Sequence, residues 1–285
     1  MTNTTLLIVK YQPANTKLQA LADHLEALWG RKPKIYGVSL PAGHSCPGAD
    51  ICKSSADRIT GKITDGPNTQ VRCFMASIES YSKQSRAAGW ENFDILRGIN
   101  WGTTLDIAGG MADAMVPPAD ADVVRFGVNG DFFNQRHFDA ALLVAERNPH
   151  IMFYAYTKSV NYWVHRLGQI PANLNLNASR GGRYDHLIDE HNLKSAVIVY
   201  HPEEADALGL EIDHDETHAL LGRDSFALLI HGTQPKGSPA AAALKRLKTE
   251  NIKYAYSRRE PRPATVSESL LAIAAAEGAA AYSSR

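Results

Sequence analysis

From residue 123 onward, short apolar runs alternate with stretches of helical spacing, and this alternation limits the fold more than any other feature. Val123-Val124-Arg125-Phe126-Gly127-Val128 reads as a strand and residues 135–147 as a helix. Residues 151–156 form the next strand and 160–167 the next helix. Residues 174–178 alternate as a strand and lead into a polar segment reaching Asn192. Residues 196–200 and 226–230 are strands of the buried type, and a helix follows over 240–248. Strands alternating with helices predict a parallel sheet with crossover helices. Five or more such units in one chain fit an α/β fold built as a complete or partial β/α barrel. A doubly wound open sheet is the alternative.

The first half is less regular. Residues 5–9 read as a strand. Leu18, Leu21, Leu25 and Leu28 put a helix over 15–29, and 34–39 is a short strand. Residues 53–70 are polar, with Gly61, Gly66 and Pro67, and look like a solvent-exposed excursion. Helices follow over 75–88 and 103–115, the second weakened by Gly109-Gly110. No linker or short-period repeat divides the chain. The expectation is one domain over 1–285, with a cysteine-bearing segment at 40–75 and a helical insertion at 75–118.

That segment holds all three cysteines of the 285 residues: Cys46, Cys52 and Cys73. Thiols that merely fill a core should not bunch in this way, although buried free cysteines clustered by chance are the plain alternative. Three thiolates converging from one segment point to a metal or an iron–sulfur cluster. A disulfide would leave an odd cysteine. Zinc would take a fourth ligand, and His44 stands two residues before Cys46. A four-iron (4Fe-4S) cluster held by three cysteines would leave one iron free for a substrate or cofactor. Gaps of five and twenty residues match neither zinc-finger pairs nor ferredoxin runs, so spacing leaves the metal open.

Lys plus Arg equals Asp plus Glu, at 30 each, which argues against a strongly electrostatic nucleic-acid binder while leaving a local basic patch open. No apolar run approaches a membrane span. The first ten residues lack a basic leader, so no signal peptide is expected, and a reducing cytoplasm suits free thiolates.

In parallel α/β folds, sites form at the C-terminal ends of strands. Reading those ends gives Asp131, Lys158, Ser179, Arg180, His231 and Gln234 as residues to line a ligand pocket. Glycines at three of the ends would admit close backbone approach. Asp131, Ser159 and Ser238 would equally serve as helix caps. Lys236 in the Gly-containing loop before the last helix is a weak anion signal without P-loop spacing. His214 and His218, with Asp213 or Asp215, could bind a divalent metal if helical, although an exposed acidic loop is the preferred reading. There is no Gly-x-Ser-x-Gly elbow and no HExxH motif.

The sequence resembles a phage and plasmid family called gene product eighty-eight. The resemblance is carried by Asn15 to Leu18, Leu40-Pro41-Ala42-Gly43-His44-Ser45-Cys46-Pro47-Gly48-Ala49, Cys52 and Arg72-Cys73-Phe74-Met75. It continues through Val123 to Phe133, Asn148 to Ser159 and Pro171 to Ser179. The order of signals also resembles phage proteins related to radical S-adenosylmethionine enzymes: close cysteines, then Gly130-Asp131, Thr157-Lys158, and a Pro-Asn strand ending in Ser179. That second resemblance implies a four-iron cluster and a β/α barrel, with S-adenosylmethionine as a further cofactor. The wide gap before Cys73, and Phe74 after it rather than an aromatic before it, depart from that pattern.

Together these readings predict an iron–sulfur barrel protein of the host cytoplasm, with Cys46, Cys52 and Cys73 as ligands and the strand-end residues facing a small-molecule ligand. If it is an enzyme, a redox or radical reaction is expected. The rival is a non-catalytic protein whose metal, zinc among the candidates, staples residues 53–70 and whose surface binds nucleic acid or a host protein. Lys245-Arg246-Leu247-Lys248 and Arg258-Arg259 permit that, but read more simply as solvated faces. A hydrolase built on His214 and His218 is the third reading.

Overall fold

The alternating runs become a seven-stranded sheet flanked by helices. The computed structural model describes residues 7–14, 18–100 and 106–252. In chain order the elements are β1 (Gln12–Pro13), α1 (Gln19–Trp29), β2 (Ile35–Gly37), β3 (Ser54–Ala56), β4 (Ile63–Asp65), α2 (Phe74–Tyr81), α3 (Lys83–Asn100) and α4 (Ile107–Ala114). They continue with β5 (Val123–Phe126), α5 (Gln135–Arg147), β6 (Met152–Thr157), α6 (Val160–Val164), β7 (Leu174–Ser179), α7 (Asp185–Glu190) and β8 (Ser195–Val199). The last are α8 (Pro202–Ala207), α9 (Thr217–Leu220), β9 (Phe226–Leu229) and α10 (Pro239–Thr249).

The strand order is β1-β2-β5-β6-β7-β8-β9, parallel from β2 to β9, with β1 antiparallel at the edge. A doubly wound sheet must reverse its strand order somewhere. This row never does, so the doubly wound alternative does not apply. With right-handed crossovers, a monotonic order places the connecting helices on one face, which is the winding of a barrel. The described residues give no pairing between β1 and β9 that would close the row.

Side-chain alternation sorts the two faces. Val124, Phe126, Phe153, Ala155, Leu174, Leu176 and Ala178 pack outward into one cluster with residues of α3, α4, α5 and α7. Their neighbours Val123, Met152 and Tyr154 face the other way, with Ala196 and Phe226. There they meet Leu21 and Leu25 of α1 and Ala219 and Leu220 of α9. The inner face near the starts of the strands is thus filled by α1 and α9. The opposite end of the sheet, where the strands finish, receives the cysteine segment.

Several boundaries differ from the sequence reading. Residues 7–9 are not a strand, and 5–6 lie outside the described residues; the short edge strand is β1. The excursion at 53–70 folds into the hairpin β3–β4, with Ser54 and Ala56 buried. The helix expected over 75–88 breaks at Ser82, whose extended backbone separates α2 from α3. The polar segment before Asn192 contains α7. Residues 15–17 and 103–105, expected as helix, and Arg258-Arg259 lie outside the described residues. No helix among the described residues is long and apolar enough to cross a membrane.

Candidate cysteine site at the strand ends

The chain leaves β2 and crosses the end of β5 through the bond from Leu40 N–H to the Asn129 carbonyl at 3.0 Å. It then turns tightly. The Pro41 carbonyl accepts from both Ser45 N–H (3.1 Å) and Ser45 Oγ (2.9 Å). Gly43 sits at φ +73°, where a Cβ would stand 2.3 Å from the Ser54 carbonyl oxygen, so only glycine fits. Gly43 N–H donates to Cys46 Sγ at 3.3 Å. The Lys53 ammonium closes the turn from below, donating to the carbonyls of Gly43 and Cys46, both at 2.7 Å.

Cys52 is held at the ends of β6 and β7. Ile51 N–H donates to the Gly181 carbonyl at 3.2 Å, and Arg183 N–H to the Gly48 carbonyl at 2.9 Å. Gly48 lies against the Lys158 carbonyl, where an added Cβ would come within 2.1 Å. At the end of β7, Gly181 lies against Ile51 and Gly182 against the Gly48 carbonyl, so these glycines admit the cysteine loop.

Cys73 stands immediately before α2, and the segment after β9 holds it. Gln234 clasps the backbone of the preceding residue from both sides: Arg72 N–H donates to Gln234 Oε1 at 2.8 Å, and Gln234 Nε2 donates to the Arg72 carbonyl at 3.2 Å. His231 packs edge-on against Phe74, their ring centroids 5.3 Å apart.

All three cysteines are free and half-buried. Surrounding protein pushes each thiol up. For Cys46 burial dominates, reinforced by Asp131 and the other two cysteines. For Cys52 the nearby Lys158 ammonium offsets part of the burial. For Cys73 burial drives the pKa to about 11, against the N–H groups of Ala76 and Met75. At neutral pH these are neutral thiols, poor nucleophiles on their own.

Asp131 and Lys158 form the floor beside them. Asp131 Oδ1 accepts from Thr157 Oγ1 (2.6 Å) and Phe132 N–H (2.7 Å), and Oδ2 from Lys158 N–H (2.8 Å). Burial raises the Asp131 pKa against these bonds. The Lys158 ammonium donates to the Ser179 carbonyl (2.8 Å), Ser179 Oγ (3.0 Å) and the Arg180 carbonyl. Arg180 itself turns away to Asp189, at 2.6 Å, and Ser195. Of the six predicted pocket residues, then, Asp131, Lys158 and Ser179 are joined in one network under the cysteine loop. Gln234 and His231 brace Cys73, and Arg180 lies elsewhere.

The expected fourth ligand is also engaged. His44 Nε2 lies 3.2 Å from the Ala56 carbonyl oxygen, and its ring packs on Trp90. Ser238 does cap α10, accepting from Ala241 N–H, while Lys236 is exposed. Arg246 of the basic run pairs with Glu250 and Glu203, as a solvated face does.

The acidic cluster is the clearest correction. Asp213, Asp215, Glu216, Thr217 and His218 are buried, not an exposed loop, because this segment fills the inner face of the sheet. Helix α9 starts only at Thr217, so His214 and His218 do not share a helical face. His218 is bracketed by Glu211 (2.9 Å) and Asp213 (3.8 Å). Among the described residues, no group of three or more His, Cys, Asp and Glu is gathered as a metal-ion site.

Two groups escaped sequence reading. Arg125 and Glu216 make a buried ion pair at 2.7 Å on the inner face, with the guanidinium over the rings of Tyr154 and Tyr156. Glu79 of α2 is fully buried and accepts from Ala42 N–H and Asn129 Nδ2. Burial raises its pKa to about 7, against those two donors. A single acidic residue in a helical stretch carries no sequence signal of this.

Residues 6–252 match the family described as Gene product 88, and the chain belongs to that family. No curated protein and no solved structure is detectably similar to it.

Proposed function

We propose that this member of the Gene product 88 family is an iron–sulfur protein, with Cys46, Cys52 and Cys73 as cluster ligands. The observation that carries the reading is that one segment sets all three free cysteines over the C-terminal ends of the parallel strands, through the contacts of Leu40, Ile51 and Arg72 with the ends of β5, β7 and β9. The donor set suits a cluster better than a single ion. A cluster is a broad body and takes thiolates set apart around it, whereas zinc gathers four ligands around one point, and His44 is turned to Ala56. Gly43 N–H already points at Cys46 Sγ, the kind of bond that stabilises a ligated thiolate. Thiols raised by burial need a strong cationic centre to deprotonate them, and ligation supplies one. A four-iron cluster held by three thiolates offers an open coordination position for one-electron chemistry. Around it, Lys158 and Lys53 would balance its negative charge, and Asp131 would face the bound molecule as hydrogen-bond acceptor. S-adenosylmethionine belongs to this reading as a cofactor to be tried, with the host cytoplasm as the compartment.

One observation favours the rival, a metal-stapled protein without turnover that binds nucleic acid or a host protein. The strand-end residues Lys158 and Ser179 are already bonded to each other, and Gln234 is used to hold the cysteine segment at Arg72. The deciding experiment is anaerobic purification with iron, sulfide and zinc analysis and an absorbance spectrum. About four irons and four sulfides per chain with broad visible absorbance supports the cluster. Reductive cleavage of added S-adenosylmethionine would then support a radical enzyme. Stoichiometric zinc without a visible band supports the staple, and absence of any metal overturns both.

A further inference from the structure

We infer that Glu79 is the positioning residue of the cysteine site, tying the turn that carries Cys46 to the helix that begins at Cys73 and adding a negative charge beside them. The inference rests on the cluster reading for its electronic part; its geometric part stands on the contacts alone. Glu79 lies in the helix headed by Cys73, and its side chain is completely buried. Its Oε1 accepts from Ala42 N–H at 3.1 Å, inside the turn that leads to Cys46. The same oxygen accepts from Asn129 Nδ2 at 3.1 Å, at the end of β5. Arg86 Nη1 donates to the Glu79 backbone carbonyl, which fixes this point of α2. One side chain thus joins the two cysteine-bearing segments and the sheet.

A glutamine could accept both Oε1 bonds through its amide oxygen, giving up only the longer branch from Ala42 N–H to Oε2 at 3.3 Å, and burying a neutral amide costs less than burying a carboxylate. What glutamate adds, once the pH exceeds its raised pKa of about 7, is a charge in the helix headed by Cys73, so the potential is read above that pH. Net charge near a cluster is one of the levers that set its reduction potential.

The test uses the full chain as Glu79→Gln, Glu79→Ala and Glu79→Asp, each purified anaerobically and checked by thermal melt. Three quantities are read: iron and sulfide per chain, midpoint potential by dye titration, and iodoacetamide labelling of each cysteine in metal-free protein. Glu79→Ala should lose about ten-fold or more in iron affinity, as groups that orient metal ligands do, and should label faster at Cys46 and Cys73. Glu79→Gln should keep iron and slow labelling while its midpoint potential rises. If Glu79→Ala fails to fold, Glu79→Asp, which keeps the charge and withdraws it from Ala42, should show the same losses. Iron retention and labelling unchanged in both Glu79→Ala and Glu79→Asp would overturn the positioning role. An unchanged potential in Glu79→Gln would overturn the electronic one. If the wild type itself holds no iron, the cluster reading and with it the electronic role fail, and the labelling rates alone decide the positioning.

Discussion

Glu79 is held near pKa 7 by burial, whereas a glutamate in the unfolded chain titrates near 4.5. Between those values the folded state keeps a proton that the unfolded state has lost, so stability falls as pH rises through this window. Other buried acids titrate as well, so the informative quantity is the difference between wild type and Glu79→Gln in metal-free protein. Thermal melts from pH 4.5 to pH 7 should show the wild type losing stability relative to the variant, with the gap levelling off above pH 7. A gap independent of pH would mean that Glu79 is not buried as a charge. This residue also shows where sequence reading stops. Asp131, Lys158 and Ser179 were legible because a strand end says where a side chain starts. Gln234 and His231 were legible as positions but not as roles, because their partners Arg72 and Phe74 arrive from about 160 residues earlier in the chain. Nothing local in the sequence announces such a meeting.

At the scale of elements, the cysteine segment is a loop docked on the ends of four strands, and its fit is set by glycines. Gly48→Ala would place a Cβ 2.1 Å from the Lys158 carbonyl oxygen and 2.9 Å from Ser159 N, both backbone atoms that cannot swing aside. The expected loss is about 1–3 kcal/mol, the usual consequence of overpacking, with faster iodoacetamide labelling of Cys52 as the loop lifts. Wild-type melting and labelling in that variant would show that the loop is not seated there. Gln234→Ala removes the clasp on Arg72 and leaves its N–H without that acceptor, about 1–3 kcal/mol if the group stays buried. Hydrogen exchange should speed up at Arg72 and Cys73 and remain slow in β6 and β7. The hairpin β3–β4 was hidden in the sequence because each strand has only three residues and little apolar content. The strands from residue 123 onward were legible because their runs are longer and apolar on the helix-covered face.

Across the whole molecule, the alternation of runs disclosed a parallel sheet, and the one-way winding follows once each strand from β5 onward pairs with the next in sequence. What sequence could not disclose is that the inner face is polar at its centre. Arg125 sits in a strand of valines and phenylalanine, and its partner Glu216 lies 91 residues away, in a segment whose composition reads as exposed loop. Their side chains are 7% and 2% exposed, so both charges have left water. In such pairs desolvation offsets most of the Coulomb attraction, and breaking one is far worse than replacing both. Glu216→Gln should therefore lose about 3–5 kcal/mol in urea unfolding, because the buried Arg125 guanidinium loses the carboxylate 2.7 Å from it. The double variant Arg125→Met with Glu216→Leu should lose much less, since Tyr154 and Tyr156 can pack against an apolar chain where they now meet the guanidinium. If the double variant is as unstable as the single one, the pair is itself stabilising, and the polar centre belongs to the fold. If the double variant folds well but no longer does what the wild type does, the pair is kept for function, and the inner face joins the cysteine mouth as part of one site.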